Sequence, residues 1–175
     1  MTRPLPAETP PGPRTSAALL RDRTFGPWFF GNAVSNSGNW LFNVTAAIVV
    51  YRLSGSALLV GLVSVAQFGP LLLLSPLGGA LSDRVDRRRL LLAAQTFAGA
   101  AATGLAIAAA VLGVDRLPGS WPILATAFGI GMGQAVAAPT LNALIPSLVE
   151  DADLEAAVAL TSLTFNLGRA LGPAT

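Results

Sequence analysis

Four long apolar runs, separated only by short polar links, decide what this chain can become. They cover roughly Pro27–Tyr51, Ala57–Leu81, Leu90–Val114 and Trp121–Leu148. A bilayer span needs about 20 mostly apolar residues, and each run meets that length. Of the 175 residues, 53% are hydrophobic and 11% charged, against about 25% charge in a soluble domain. A water-soluble globule with so little charge could not cover its surface. The acidic link Glu150-Asp151-Ala152-Asp153 leads into a further helix from about Leu154, still running at Thr175. Carboxylates suit that position, because a helix N-terminus is positive. The expected fold is all-α: a polytopic transmembrane helix bundle over residues 25–175, with four complete spans and most of a fifth, cut within the fifth.

The chain has no cysteine, histidine or lysine. Disulfides and thiolate nucleophiles are excluded. The usual zinc and haem sites and Ser-His catalysis have no histidine to use. Neither a P-loop lysine nor a Schiff base is available. No enzyme, metal site or cofactor is expected. Eleven arginines, ten of them spread over links and tail, do not form the clustered soluble face of a nucleic-acid binder.

Residues 1–24 read as a disordered tail rich in arginine and proline, with five prolines among its first 13 residues. No apolar segment near Met1 resembles a secretory signal. Ala17–Phe25 reads as a short interfacial helix. The tail and the second link carry Arg3, Arg14, Arg21, Arg23, Arg84, Arg87, Arg88 and Arg89, while the opposite side carries Arg52 and Arg116. Eight against two places the N-terminus in the cytoplasm. The expected location is the inner (plasma) membrane, with the lipid bilayer as partner.

The first span is unusually polar. Asn32, Asn36, Asn39 and Asn43 recur at steps of four, three and four, which puts them on one helix face. Such a stripe either lines a hydrated cavity or glues helices through hydrogen bonds. Gly129 and Gly133 allow close helix approach, and Gln134 follows them. Pro70, Pro76, Pro139 and Pro146 favour kinks. Arg169 lies about four turns into the last helix, at mid-membrane depth. It is either a substrate or switching charge, or a hydrogen-bond hub for backbone carbonyls. No carboxylate lies deep in the first four spans.

The link Gly79-Ala80-Leu81-Ser82-Asp83-Arg84-Val85-Asp86-Arg87-Arg88-Arg89-Leu90 is the most specific feature. Gly78 and Gly79 let a helix end approach a neighbour, and Asp83 and Arg87 can pair at four residues' spacing if the link is helical. The pattern resembles the signature between helices two and three of the major facilitator superfamily. Glycine is usual in that family where this chain has Asp86. Gly168-Arg169-Ala170-Leu171-Gly172-Pro173 is similar to the opening of the fifth-helix antiporter motif. The run Pro139–Val149, with Leu154–Pro173, is similar to the branch holding enterobactin and macrolide exporters. The arginine many exporters carry in helix four is replaced here by Gly131-x-Gly133-Gln134.

The resemblance implies a secondary transporter that moves small amphiphilic compounds, drugs or siderophores, outward by proton-coupled alternating access. It implies a gate in which Gly79, Asp83, Arg84, Arg87 and Arg88 take part, with Asp83 and Arg87 as the pair. Asn32, Asn36, Asn39, Asn43, Gln134 and Arg169 would line the central cavity. Gly168, Gly172 and Pro173 would form the bend of the fifth span. The partners would be a small-molecule substrate and a C-terminal half beyond this chain. The alternative is a truncated membrane module that transports nothing and self-associates or binds a partner.

Overall fold

In a computed structural model the described residues are 14–82 and 84–171. Six α-helices follow one another among them: α1 Ser16–Leu20, α2 Phe25–Ser54, α3 Ala57–Ser82, α4 Arg87–Leu112, α5 Trp121–Leu148 and α6 Leu154–Leu171. Short 3-10 turns occur at Val114–Arg116 and Asp151–Asp153, and no strand occurs among the described residues. The helix ends follow local chemistry. Gly55, at φ 64°, closes α2 and donates its N–H to Tyr51 O, a left-handed cap that glycine adopts without strain. The helices run unbroken through Pro70 and Pro76 in α3 and through Pro139 and Pro146 in α5.

Three helices, α3, α4 and α5, are long and apolar enough to cross a membrane. At 30 residues, α2 measures about 45 Å at 1.5 Å per residue. Its asparagines keep it below the apolarity of those three. The most apolar window of α5 is 56% buried, against 17% for α3 and 6% for α4. So α5 is the centre of the bundle, and α3 and α4 present leucine, valine and phenylalanine outward, among them Leu72, Leu73, Phe97 and Val111.

Small residues allow this packing. A Cβ on Gly131 would strike the backbone carbonyl of Gln67 on α3. On the other side of α5, a Cβ on Gly133 would sit 2.9 Å from Ala94 O of α4, and one on Gly129 would sit 3.4 Å from Ala101 Cβ. Gly131 and Gly133 are therefore the close-approach glycines of α5, whereas Gly129, of the pair that the spacing suggests, leaves room for a methyl group. α2 packs against α3 along one side and α6 along the other.

Two apolar clusters close the ends of the bundle. One joins Leu19, Phe25, Phe29, Ile145 and Ala157; the other joins Ala46, Val50, Val63, Ile123 and Ala127. The asparagines of α2 lie between Phe29 and Ala46, and so between the two clusters.

The N-terminal region corrects one expectation. Residues 1–13 lie outside the described residues. From Arg14 onward the chain is built into the fold and is not a disordered tail. Leu19 and Phe25 are buried. The Arg14 guanidinium meets Asp22, Glu150 and Asp153. The short helix ends at Leu20, not Phe25, because Asp22 starts a new one: its Oδ1 accepts the N–H groups of Thr24 at 2.7 Å and Phe25 at 3.0 Å. These bonds, that from Phe25 foremost, hold the Asp22 carboxyl below its ordinary value of 3.8, and Arg14 adds to the effect.

Candidate functional site

Between the two apolar clusters, α2, α3, α5 and α6 enclose a cavity of about 360 Å³. That volume lies within the range of small-molecule sites, about 300–1,000 Å³. α2 contributes Asn32, Asn36, Asn39 and Asn43, flanked by Trp28 and Trp40. α3 contributes Gln67, Phe68 and Leu71. α5 brings Gln134, Ala138, Leu141 and Asn142, and α6 brings Thr161, Ser162, Thr164 and Phe165. Among the described residues the lining carries no charge.

The asparagine stripe divides in two. Asn36 Nδ2 donates to Thr164 O of α6 at 3.1 Å, and Asn43 Nδ2 donates to Gln67 Oε1 of α3 at 2.8 Å. These two residues are seven apart, nearly two full helical turns, and they tie α2 to its neighbours. Asn32 and Asn39, also seven apart, make no side-chain hydrogen bond among the described residues, and neither does Gln134 across from them. All four asparagines thus line the cavity, and Asn36 and Asn43 also join helices.

Aromatic rings complete the walls. Trp40 and Phe165 meet edge to face, with centroids 5.8 Å apart at 71°, a favoured aromatic geometry. α6 can lie this close because Gly168 is buried there: a Cβ would come within 2.9 Å of Asn36 Nδ2 and 3.0 Å of Trp40 Cδ1. Trp28 stacks near Phe25, and its Nε1 is buried without a partner.

The signature link is resolved on both sides of Asp83, which lies outside the described residues. Arg84 and Arg88 are exposed. Arg87 opens α4 and its Nη1 donates to Ala143 O near the end of α5 at 3.4 Å. Asp86, the residue that departs from the family pattern, caps α4 by accepting Arg89 N–H at 2.8 Å. Its φ of −56° needs no glycine. Of the two glycines expected to allow close approach, only Gly78 does so. A Cβ there would strike Ala135 O, whereas one at Gly79 would meet nothing within 4 Å. The helix turns Gly79 away from α5.

Arg169 lies in α6, one helical turn beyond Phe165; its side chain, like Gly172 and Pro173, lies outside the described residues. Gln67 and the rings of Trp28, Trp40 and Phe68 escaped the sequence reading. Gln67 carried a usable signal, as a lone amide in a run of leucine and valine. The rings did not, because an aromatic residue in an apolar span usually faces packing partners.

Residues 14–175 match the family model described as transmembrane secretion effector. The chain is 30% identical to macrolide efflux protein A of Streptococcus pyogenes over 124 residues, covering 71% of this chain and 30% of that protein. It is 28% identical to the staphyloferrin A transporter of Staphylococcus aureus over 137 residues, covering 78% of this chain and 34% of that protein. The chain thus spans about a third of the length of these curated relatives. No solved structure gives a significant match.

Proposed function

Because this chain belongs to the transmembrane secretion effector family of the major facilitator superfamily, a family of transporters and not of enzymes, we propose that it forms the first helices of an exporter of small amphiphilic compounds. The observation that carries this reading is the cavity of amides and aromatic rings, set between two apolar clusters on helices built for a bilayer. Ligand sites of secondary transporters lie near the bilayer midplane between helices. On this reading α2 and α6 also cross the membrane, and the asparagines of α2 face the cavity, not lipid.

Transport proceeds by alternating access, with these helices rocking against a second half that follows them in the full-length carrier. Asp83 and Arg87 close the cytoplasmic side, supported by Gly79, Arg84 and Arg88. Gly168, Gly172 and Pro173 bend α6, and Arg169, one turn beyond Phe165, is a charge that changes partners during the cycle. Proton antiport drives export. The N-terminus lies in the cytoplasm, as the arginine bias of the links supports. Cysteine introduced at the exposed Val114 should then be labelled from outside intact cells, and cysteine at the exposed Val85 should not. The reverse pattern would overturn the orientation.

Inside-out vesicles containing the full-length protein test the whole reading. An acidic lumen should drive uptake of a radiolabelled macrolide or siderophore, and a protonophore should stop it. No uptake of either class under an imposed proton gradient would sink the exporter assignment.

A further inference from the structure

We propose that the cavity recognises an uncharged, oxygen-rich ligand, and that recognition falls to Asn32, Asn39 and Gln134, while Asn36, Asn43 and Gln67 serve the fold. The proposal rests on the exporter reading only in calling that ligand a substrate.

The division follows from the hydrogen bonds. Asn36 and Asn43 spend a donor each on Thr164 O and Gln67 Oε1. Asn32, Asn39 and Gln134 line the same cavity, half-buried, with no protein partner among the described residues. An amide that a ligand covers without offering it a partner is costly. Water satisfies these three when the cavity is empty, and a ligand must replace that water to bind without loss.

The ligand's chemistry follows from what the lining can offer. Each amide supplies two donors and one carbonyl acceptor. The hydroxyls of Thr161 and Thr164 send their protons back to Ala157 O at 2.8 Å and Thr161 O at 2.7 Å. The open amides and the threonine oxygens therefore present donors and acceptors together, which hydroxyl groups satisfy in both senses. A charged group entering the same wall would lose water and find no opposite charge among the described lining residues, a large cost. Trp40 and Phe165 add apolar ring faces of the kind that pack on sugar and lactone rings.

The test uses the full-length protein in liposomes, with two readouts, ligand affinity and melting temperature. Three probes, each carrying one phenyl ring, are compared by calorimetry: phenyl β-D-maltoside, phenyl phosphate and benzyltrimethylammonium. The maltoside should bind at least about tenfold more tightly than either ion. Asn32→Leu and Asn39→Leu should each weaken maltoside binding about tenfold, the scale of one hydrogen bond, with no fall in melting temperature. Asn36→Leu and Asn43→Leu should lower the melting temperature. Tighter binding of phenyl phosphate, lost in Arg169→Gln, overturns the proposal in favour of an anion site. Unchanged affinity in both Asn32→Leu and Asn39→Leu also overturns it. Maltoside binding by a protein that exports nothing refutes the exporter reading and supports the site.

Discussion

The backbone N–H of Arg14 donates to Oδ1 of Asp153 across 2.6 Å, joining residues 139 positions apart. The Asp153 side chain is 2% exposed, whereas that of Arg14 is 44% exposed. The contact therefore has two parts of unequal weight. The backbone bond does not use the Arg14 side chain and survives substitutions there other than proline. The ion pairs to Asp22 and Glu150 are solvent-screened and contribute about 1 kcal/mol or less. Asp153→Ala should cost about 1–3 kcal/mol, because it removes the buried carboxylate that this N–H shares with Arg14 Nε, and Arg14→Ala should cost less. Thermal unfolding of the two variants separates them, and an equal loss would mean that the guanidinium carries the contact.

Asp22 makes the same end of the bundle sensitive to acid. Its folded pKa lies below 3.8, chiefly through the Phe25 and Thr24 N–H groups. A depressed carboxylate contributes stability that is complete above its unfolded pKa and is lost as pH falls through the folded one. The α2 start should therefore hold down to about pH 4 and loosen below it. Amide shifts of Thr24 and Phe25 followed by NMR should titrate together with a midpoint below 3.8. A midpoint at or above that value would show that these bonds do not hold the ionised form.

Glycines in this bundle should respond in opposite directions. Gly131→Ala drives a methyl into the Gln67 carbonyl of α3, and Gly133→Ala presses on Ala94 O of α4. Backbone must move in both cases, at a cost of about 1–3 kcal/mol. Gly61 and Gly104 also lie within helices, but a Cβ there meets nothing within 4 Å. Alanine at either should leave stability equal or raise it by up to about 1 kcal/mol. Melting temperatures in detergent decide it; a loss at Gly61 equal to that at Gly131 would contradict the packing.

The helices were legible from the sequence because their ends are marked locally, by Gly55, Gly113 and the Asp-rich links. The stripe at Asn32, Asn36, Asn39 and Asn43 was legible from its period. Its division was not, since what separates Asn36 from Asn39 is Thr164, a residue of another helix. The same limit applies at Gly78 and Gly79, which differ only in which way α3 turns them. The docking of Arg14 was hidden for a further reason. Its partners Glu150 and Asp153 lie at the far end of the chain, and the proline-rich stretch before it has the composition of a free tail.

The charge pair of the signature link can be tested by exchanging its two members. Arg87 stands in the first turn of α4, where a positive charge opposes the helix dipole. A carboxylate at Asp83 offsets that opposition if the two pair directly. Reversing either charge alone, as Asp83→Arg or Arg87→Asp, should abolish most export by the full-length protein. Combining the two should restore a measurable part, with a coupling of about 0.5–3 kcal/mol in the double-mutant cycle. Rescue should stay incomplete, because aspartate at position 87 cannot donate to Ala143 O as the arginine does. A double variant no better than the worse single one would mean that Arg87 acts through α5 and not through Asp83.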